Sequence, residues 1–247
     1  MEHLVAVRDR EGAVMMMAEP APRQLVCLDL FCGHGGFSQP FRDAGWKVIT
    51  LDNNPDFNPD ICMDILDVDV ERLHEELGPL DHYDLVLASV PCTAFSIAAS
   101  RFRHWDEDGE PQTHAAREAL QILNHTMRLI HGLNPEWWFV ENPRGHMRKV
   151  FPFGFPRVEI TLCSYGYEHG QKPTDLWGGF PMTWVPRSPC PPGGACHAGR
   201  RTADSVRNPA ERSRLPHQLG AEIEAAIQLP GSREPWLTIH DFAEGAL

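Results

Sequence analysis

Nowhere do the 247 residues contain an apolar run long enough to span a bilayer, and residues 1–24, with Arg8, Asp9, Arg10 and Glu11 ahead of a short Met-rich stretch, lack the apolar centre of a signal peptide. The expectation is a soluble, cytoplasmic protein with no membrane partner. A closely spaced, even-numbered cysteine framework is missing too. The seven cysteines, at 27, 32, 62, 92, 163, 190 and 196, read as reduced thiols. Positive charge is scarce: 22 Lys and Arg stand against 34 Asp and Glu, a formal charge of −12, which argues against indiscriminate coating of nucleic acid. The deficit is uneven, since residues 51–110 hold fifteen acids against three basic residues, whereas 187–214 hold six arginines against Asp204 and Glu211. A basic face in the C-terminal third and a solvated loop with scattered arginines both fit that distribution. Internal repeats and low-complexity tracts are also absent, and no Walker lysine follows the one glycine-rich turn.

What is present is a rhythm. Apolar runs at 25–30, 47–51, 84–89, 136–140 and 158–163 alternate with helical patterns, which predicts an α/β fold with a doubly wound, mainly parallel sheet. The clearest helix is 113–131, where Ala116, Leu120, Leu123, Met127 and Ile130 repeat at spacings of four and three and Gly132 stands at the stop position. Phe37, Phe41 and Ala44 mark a shorter helix closed by Gly45. Leu219, Ile223 and Ile227 mark a third, opened by Pro216 and stopped before Pro230. The stretches 91–112 and 173–214 show no regular period. The expected organisation is therefore a loosely ordered extension over 1–24, a catalytic domain over 25–172, an irregular region over 173–214, and a C-terminal helix and tail over 215–247 that returns to the catalytic domain.

Three segments carry chemistry. Asp84-Leu85-Val86-Leu87-Ala88-Ser89-Val90-Pro91-Cys92 is a buried-strand pattern that delivers a cysteine to a loop of small and polar residues, where a thiolate can act as a nucleophile. Cys27-Leu28-Asp29-Leu30-Phe31-Cys32-Gly33-His34-Gly35-Gly36 is an apolar strand that breaks into three glycines before a helix, so that the backbone can approach a nucleotide at the helix N-terminus. Asp52, nineteen positions after Gly33 at the end of the second strand, is placed to accept hydrogen bonds from ribose hydroxyls. Asp64 and Ile65 offer one polar contact and one apolar face to an adenine. The third segment, Trp137-Trp138-Phe139-Val140-Glu141-Asn142-Pro143, ends an apolar strand on a carboxylate and an amide. Aromatic neighbours raise the pKa of such a carboxyl by desolvation.

Together these segments resemble the DNA cytosine carbon-5 methyltransferases. Asp29 to Ser38 is similar to their first motif, Pro91-Cys92-Thr93-Ala94-Phe95-Ser96 to their nucleophile motif, and Glu141-Asn142-Pro143 to their glutamate–asparagine motif, in family order and over about residues 25–150. The resemblance implies a Rossmann-like fold and S-adenosylmethionine as cofactor, with S-adenosylhomocysteine as product. It also implies Phe31, Gly33, Gly35, Gly36, Asp52, Asn53, Asp64, Ile65 and Pro91 around that cofactor, Cys92 as nucleophile, and Glu141 and Asn142 at the base. The substrate it implies is DNA, double-stranded with a flipped cytosine, held by Ser96, Arg101, Arg103, Arg144 and Lys172.

Departures are visible. Ser89-Val90-Pro91-Cys92-Thr93 replaces the usual Gly-Pro-Pro-Cys-Gln, and Pro143 takes the third position of the Glu-Asn-Val signature, both as in small phage-type members. The family's Gln-x-Arg-x-Arg pattern has its nearest counterpart in Gln171-Lys172-Pro173-Thr174-Asp175, with Lys172 in place of an arginine. Only about seventy residues follow, few for a full target-recognition domain. The corresponding expectation is a partner or second copy that supplies target recognition.

In this reading Arg101 and Arg103 either assist the Cys92 thiolate or simply contact solvent or phosphate, the loop 93–112 closes over the base, and Trp105 either wedges into the stack or simply packs. Asn142 fixes the loop, touches the base edge, or simply forms the turn before Pro143. Cys190, Cys196 and His197 lie close in sequence, with Cys163 the nearest fourth ligand, but their spacing is too wide for the usual zinc pairs and no metal is assigned. The rival readings are a tRNA cytosine-5 methyltransferase and a non-catalytic nucleic-acid-binding relative.

Overall fold

Every residue of Val26–Leu30 (β3) is buried, and such a strand must be covered on both faces. The computed structural model, described over residues 4–8, 14–18, 23–78, 80, 82–151, 154–194, 196 and 209–233, shows how. Lys47–Asp52 (β4) and Leu85–Ser89 (β6) pair in parallel on either side of β3; Ile61–Cys62 (β5) extends one flank and Trp137–Pro143 (β7) the other. Arg157–Thr161 (β8) and Pro173–Gly179 (β9) complete a seven-stranded sheet of order β5-β4-β3-β6-β7-β9-β8, in which β9 runs antiparallel to both of its neighbours.

The period-2 alternation of side chains sorts the core into two layers. Leu28, Leu30, Val86, Ala88, Trp138 and Val140 meet one side, where Leu73 of Val70–Leu77 (α2) and Leu123, Met127 and Ile130 of His114–Leu133 (α3) cover them. Cys27, Leu85, Leu87, Trp137 and Phe139 meet the other side with Phe41 of Gln39–Asp43 (α1) and Leu219 and Ile223 of His217–Ile227 (α6). Two short helices, Met147–Val150 (α4) and Pro209–Ser213 (α5), complete the described elements. No helix among the described residues is long and apolar enough to cross a membrane. The fold is the doubly wound, mainly parallel α/β architecture that the apolar rhythm predicts, of Rossmann-like type.

Several sequence expectations are corrected. Residues 4–8 and 14–18 (β1, β2) pair as an antiparallel hairpin within the stretch expected to be loosely ordered. The long helix continues through Gly132, which lets Val70 of α2 pack closely: a β-carbon there would stand 3.1 Å from the valine methyl. Asn134, at φ 45°, is the true stop. The largest difference is β9. Pro173-Thr174-Asp175-Leu176-Trp177-Gly178-Gly179 has poor strand propensity and falls in the stretch expected to be irregular, yet pairing on both sides holds it in the sheet. Asp175, fully buried, is reached by the guanidinium groups of Arg148 and Arg157, and Arg148 also reaches Glu159. That network fixes α4 and β8 to β9. The loop after Cys92 is likewise organised, with 3-10 turns over Ile97–Phe102 and a Trp105–Pro111 bridge.

Candidate active site

The chain leaves β3 toward β4 and β5, then returns past it to β6 and β7, so the carboxyl ends of β3 and β6 flank a topological switch point where a crevice must open. A cavity of about 280 Å³ occupies it. The glycine turn follows β3 into this crevice. Phe31 there takes a left-handed φ of 59°, a strained conformation for a bulky residue, and Gly33 and Gly35 follow at 51° and 68°. Asp52, the last residue of β4, reaches across: one carboxylate oxygen accepts from the Gly33 N–H at 3.0 Å and the other from the Asn54 N–H at 2.9 Å. Asp52 therefore pins the turn and keeps lone pairs to spare for a further donor.

Phe31, Gly33, Gly36, Asp52, Asn53, Asp64, Ile65 and Pro91 all line this one cavity. Gly35 is not on its wall and shapes the turn instead. Asp64 caps the 3-10 turn over Ile65–Asp67 by accepting from the Leu66 N–H, which fixes the buried Ile65 beside it.

Cys92 and Glu141 line the same cavity. The parallel register sets Ser89 of β6 opposite Glu141 of β7, so the nucleophile loop begins one strand spacing, about 4.8 Å, from the acid. Glu141 is 4% exposed, and its Oε1 has no hydrogen-bond partner among the described residues. Burial pushes its pKa up, Lys172 opposes the rise and Asp175 adds to it. The Cys92 thiol is also pushed up, first by burial and then by the Glu141 charge, against Lys172 and Arg212. Arg103 is not among the charges acting on it, which corrects the expectation that it assists the thiol; the same expectation for Arg101 falls on a side chain outside the described residues. Lys172, 9% exposed, donates to the Arg212 carbonyl at 3.2 Å and lines the catalytic cavity.

Asn142 is fully buried and lies off the cavity wall; its amide donates to the Val90 carbonyl at 2.8 Å. That contact fixes the loop ahead of Cys92, one of the roles open to it in the sequence. Trp105 packs: its indole N–H donates to the Ala94 carbonyl at 2.8 Å, and its ring stacks against Phe95 and His146. Ser96, Arg103 and Arg144 gather elsewhere, around a second cavity of about 440 Å³ shared with Arg148 and Lys149. The side chain of Arg101 lies outside the described residues, as does His197.

A model of the C-5 cytosine-specific DNA methylases matches residues 25–172, more than half of the chain. The chain belongs to that family. Among methylases, it is 29% identical over 172 residues to a probable DNA (cytosine-5)-methyltransferase of Frog virus 3, covering 66% of this chain and 77% of the viral one. It is 27% identical over 131 residues to the type II methyltransferase M.XorII of Xanthomonas oryzae, covering 48% of this chain but only 28% of that one. The solved methyltransferase EhMeth of Entamoeba histolytica aligns over 75% of this chain and 61% of its own, at 10% identity and a TM-score of 0.46.

Sequence reasoning missed three parts of this site. Asp29, buried at mid-strand, accepts from the Ser38 hydroxyl and is pushed up to about 7 by burial, with the Asp52 charge adding to the rise. Its signal was an acid inside an otherwise apolar run. Met63 and Phe57 add apolar wall to the cavity. Finally Ser213, Arg214 and Leu215 close it from the C-terminal side, with the Leu215 carbonyl so near Gly36 that a β-carbon there would stand 2.5 Å from it. Nothing local in the sequence marks that approach.

Proposed function

We propose that the protein transfers a methyl group from S-adenosylmethionine to carbon 5 of cytosine in DNA, through a covalent bond between Cys92 and carbon 6. One observation carries the reading: adjacent strand ends deliver a cysteine and a buried, unpartnered carboxyl to a single cavity whose other wall is a glycine turn. That wall fits the cofactor chemically. Asp52 would accept from its ribose hydroxyls, Asp64 and Ile65 would offer its adenine one polar contact and one apolar face with Phe31 adding apolar wall, and the glycine turn at Gly33 would let its backbone approach the rest of the cofactor. When bound, the cofactor supplies an electrophilic methyl group on a sulfonium.

The residues of the chain perform the remaining work. The Cys92 sulfur bonds to carbon 6, the ring electrons move toward nitrogen 3, and the Glu141 carboxyl supplies a proton there. Carbon 5 thereby gains the electron density to take the methyl group. Loss of the carbon-5 proton to a base, water being one that needs no further side chain, then expels the Cys92 thiolate and restores the double bond, and the nitrogen-3 proton returns to Glu141. The two groups are coupled, because the Glu141 charge is one cause of the raised Cys92 pKa. A Glu141 that holds its proton, as burial favours, lacks that charge and leaves the thiolate easier to form.

Carbon 6 is out of reach of such attack in a stacked duplex, so the target cytosine is flipped into the cavity. The loop after Cys92 is suited to hold the vacated duplex. Ile97 and Phe102 on it are 58% and 56% exposed, apolar surface that a base stack can cover, and Arg103 and Arg144 stand nearby to meet phosphates. The test is incubation of the full chain with labelled S-adenosylmethionine and cytosine-containing DNA. Label on carbon 5 of cytosine that vanishes in Cys92→Ser is the expected result. Label on adenine, or undiminished transfer by the variant, would refute the reading.

A further inference from the structure

Away from both cavities, three sulfurs converge. Cys163 sits in the 3-10 turn Leu162–Tyr165 that follows β8, and Cys190 and Cys196 lie on the loop that follows β9. The sulfurs of Cys190 and Cys196 are 2.8 Å apart, those of Cys196 and Cys163 are 3.5 Å apart, and all three fall within 4.8 Å of one another. We propose that these three thiolates bind a structural zinc ion that staples the loop over residues 185–196 to the edge of the sheet.

Tetrahedral zinc with sulfur bonds of about 2.3 Å spaces its sulfurs about 3.8 Å apart; the Cys196–Cys163 separation of 3.5 Å is close to that, and the Cys190–Cys196 separation of 2.8 Å would open by about 1 Å on binding. A disulfide needs a separation of about 2.05 Å, which the shortest of these contacts exceeds, and it would leave the third sulfur without a role in the bond. Soft thiolate donors favour zinc over the hard cations magnesium and calcium. The sequence hid the site because Cys190 and Cys196 are separated by five residues and their third partner comes from twenty-seven residues upstream of Cys190, across a strand. The site as assigned consists of these three sulfurs; His197, next in the chain, lies outside the described residues.

The loop also has a physical need for such a tie. It carries Pro186, Pro189, Pro191 and Pro192 and two glycines, forms no strand or α-helix among its described residues, and leaves Val185 83% exposed. Its attachments to the sheet edge are polar: the Cys190 N–H donates to the Thr161 hydroxyl at 3.0 Å, the Gln171 amide to the Cys190 carbonyl at 2.6 Å, and the Arg187 N–H to the Tyr165 hydroxyl at 2.7 Å. Segments with too few apolar side chains to fold by burial are commonly ordered by a metal. These contacts present the Cys190 and Cys196 sulfurs to Cys163.

Elemental analysis of the full chain, purified with reductant and without chelator, tests this independently of methyl transfer. About one zinc per chain is expected, falling below about a tenth in Cys163→Ser, Cys190→Ser and Cys196→Ser and remaining in Cys62→Ser. Should those variants fold poorly, the wild-type chain loaded with cobalt serves instead, with thiolate charge-transfer absorption and the visible bands of a tetrahedral ion expected. A metal-free wild-type protein that gives no cobalt spectrum, zinc retained after loss of any two of these cysteines, or a Cys190–Cys196 disulfide that persists in reductant would overturn the proposal.

Discussion

The parallel half of the sheet and the C-terminal third meet at one cavity but reach it by different means. On the parallel side, β3, β4, β6 and β7 each end in a residue that acts locally: the turn after Leu30, Asp52, Cys92 and Glu141. On the C-terminal side, Lys172, Arg214 and Leu215 arrive through side chains and carbonyls set by packing over long sequence separations, with Lys172 bound to the Arg212 carbonyl and α6 laid against α1. The first half can be read from strand patterns because a buried strand followed by a special turn has a local signature. The second half exists only once the chain is folded.

Perturbing the parallel side should have the largest consequence. Glu141→Gln keeps the shape of the side chain but cannot transfer a proton, and the methyl-transfer rate should fall about 10²- to 10³-fold. Because the Glu141 charge raises the Cys92 pKa, the same variant should lower the pH at which Cys92 reacts with a thiol-alkylating probe. An unchanged alkylation profile would separate the two groups.

Gly36→Ala tests the seam itself. Its new methyl group would press on the Leu215 carbonyl and push the C-terminal segment off the cavity, so the cofactor dissociation constant should rise about tenfold, equivalent to about 1.4 kcal/mol. Gly33→Ala meets no protein atom within 4 Å, so within the protein it adds the strain of its left-handed backbone, about 1 to 2 kcal/mol, and should lower the melting temperature without displacing the C-terminal segment. Similar losses of affinity and stability in both variants would erase the distinction between the two sides.

A smaller effect concerns Asp29. Its pKa is raised from an ordinary 3.8 to about 7, so the folded protein holds a proton there that the unfolded chain has released. The stability this group contributes is present in full below about pH 4 and fades as the pH rises toward 7. Asp29→Asn removes that dependence. The melting temperature of the variant should gain on the wild type between pH 5 and pH 8, and a constant difference would contradict the assignment.

Much of the fold was legible because five apolar runs and three helical stripes carry their own periodicity. β9 was not, since Pro173, Asp175, Gly178 and Gly179 form a strand only with β7 and β8 on either side and two arginines on the buried aspartate. In the site, Cys92, Glu141 and Asp52 announced themselves by residue type at strand ends. The charges that tune Cys92 did not: sequence proximity pointed to Arg103, among others, whereas Lys172 and Arg212 act on it through space. Asn142 was legible as a site residue, but its contact with Val90 reveals a part in loop geometry.

The most direct measurement is mass spectrometry of the full chain after reaction with DNA that carries 5-fluorocytosine, in the presence of S-adenosylmethionine. Fluorine at carbon 5 cannot leave as a proton does, so the final elimination stalls with the sulfur still bonded to carbon 6. A stable protein–DNA adduct mapped to the Cys92 peptide, formed far more slowly in Glu141→Gln, is the expected result. No adduct, or one on another cysteine, would contradict it.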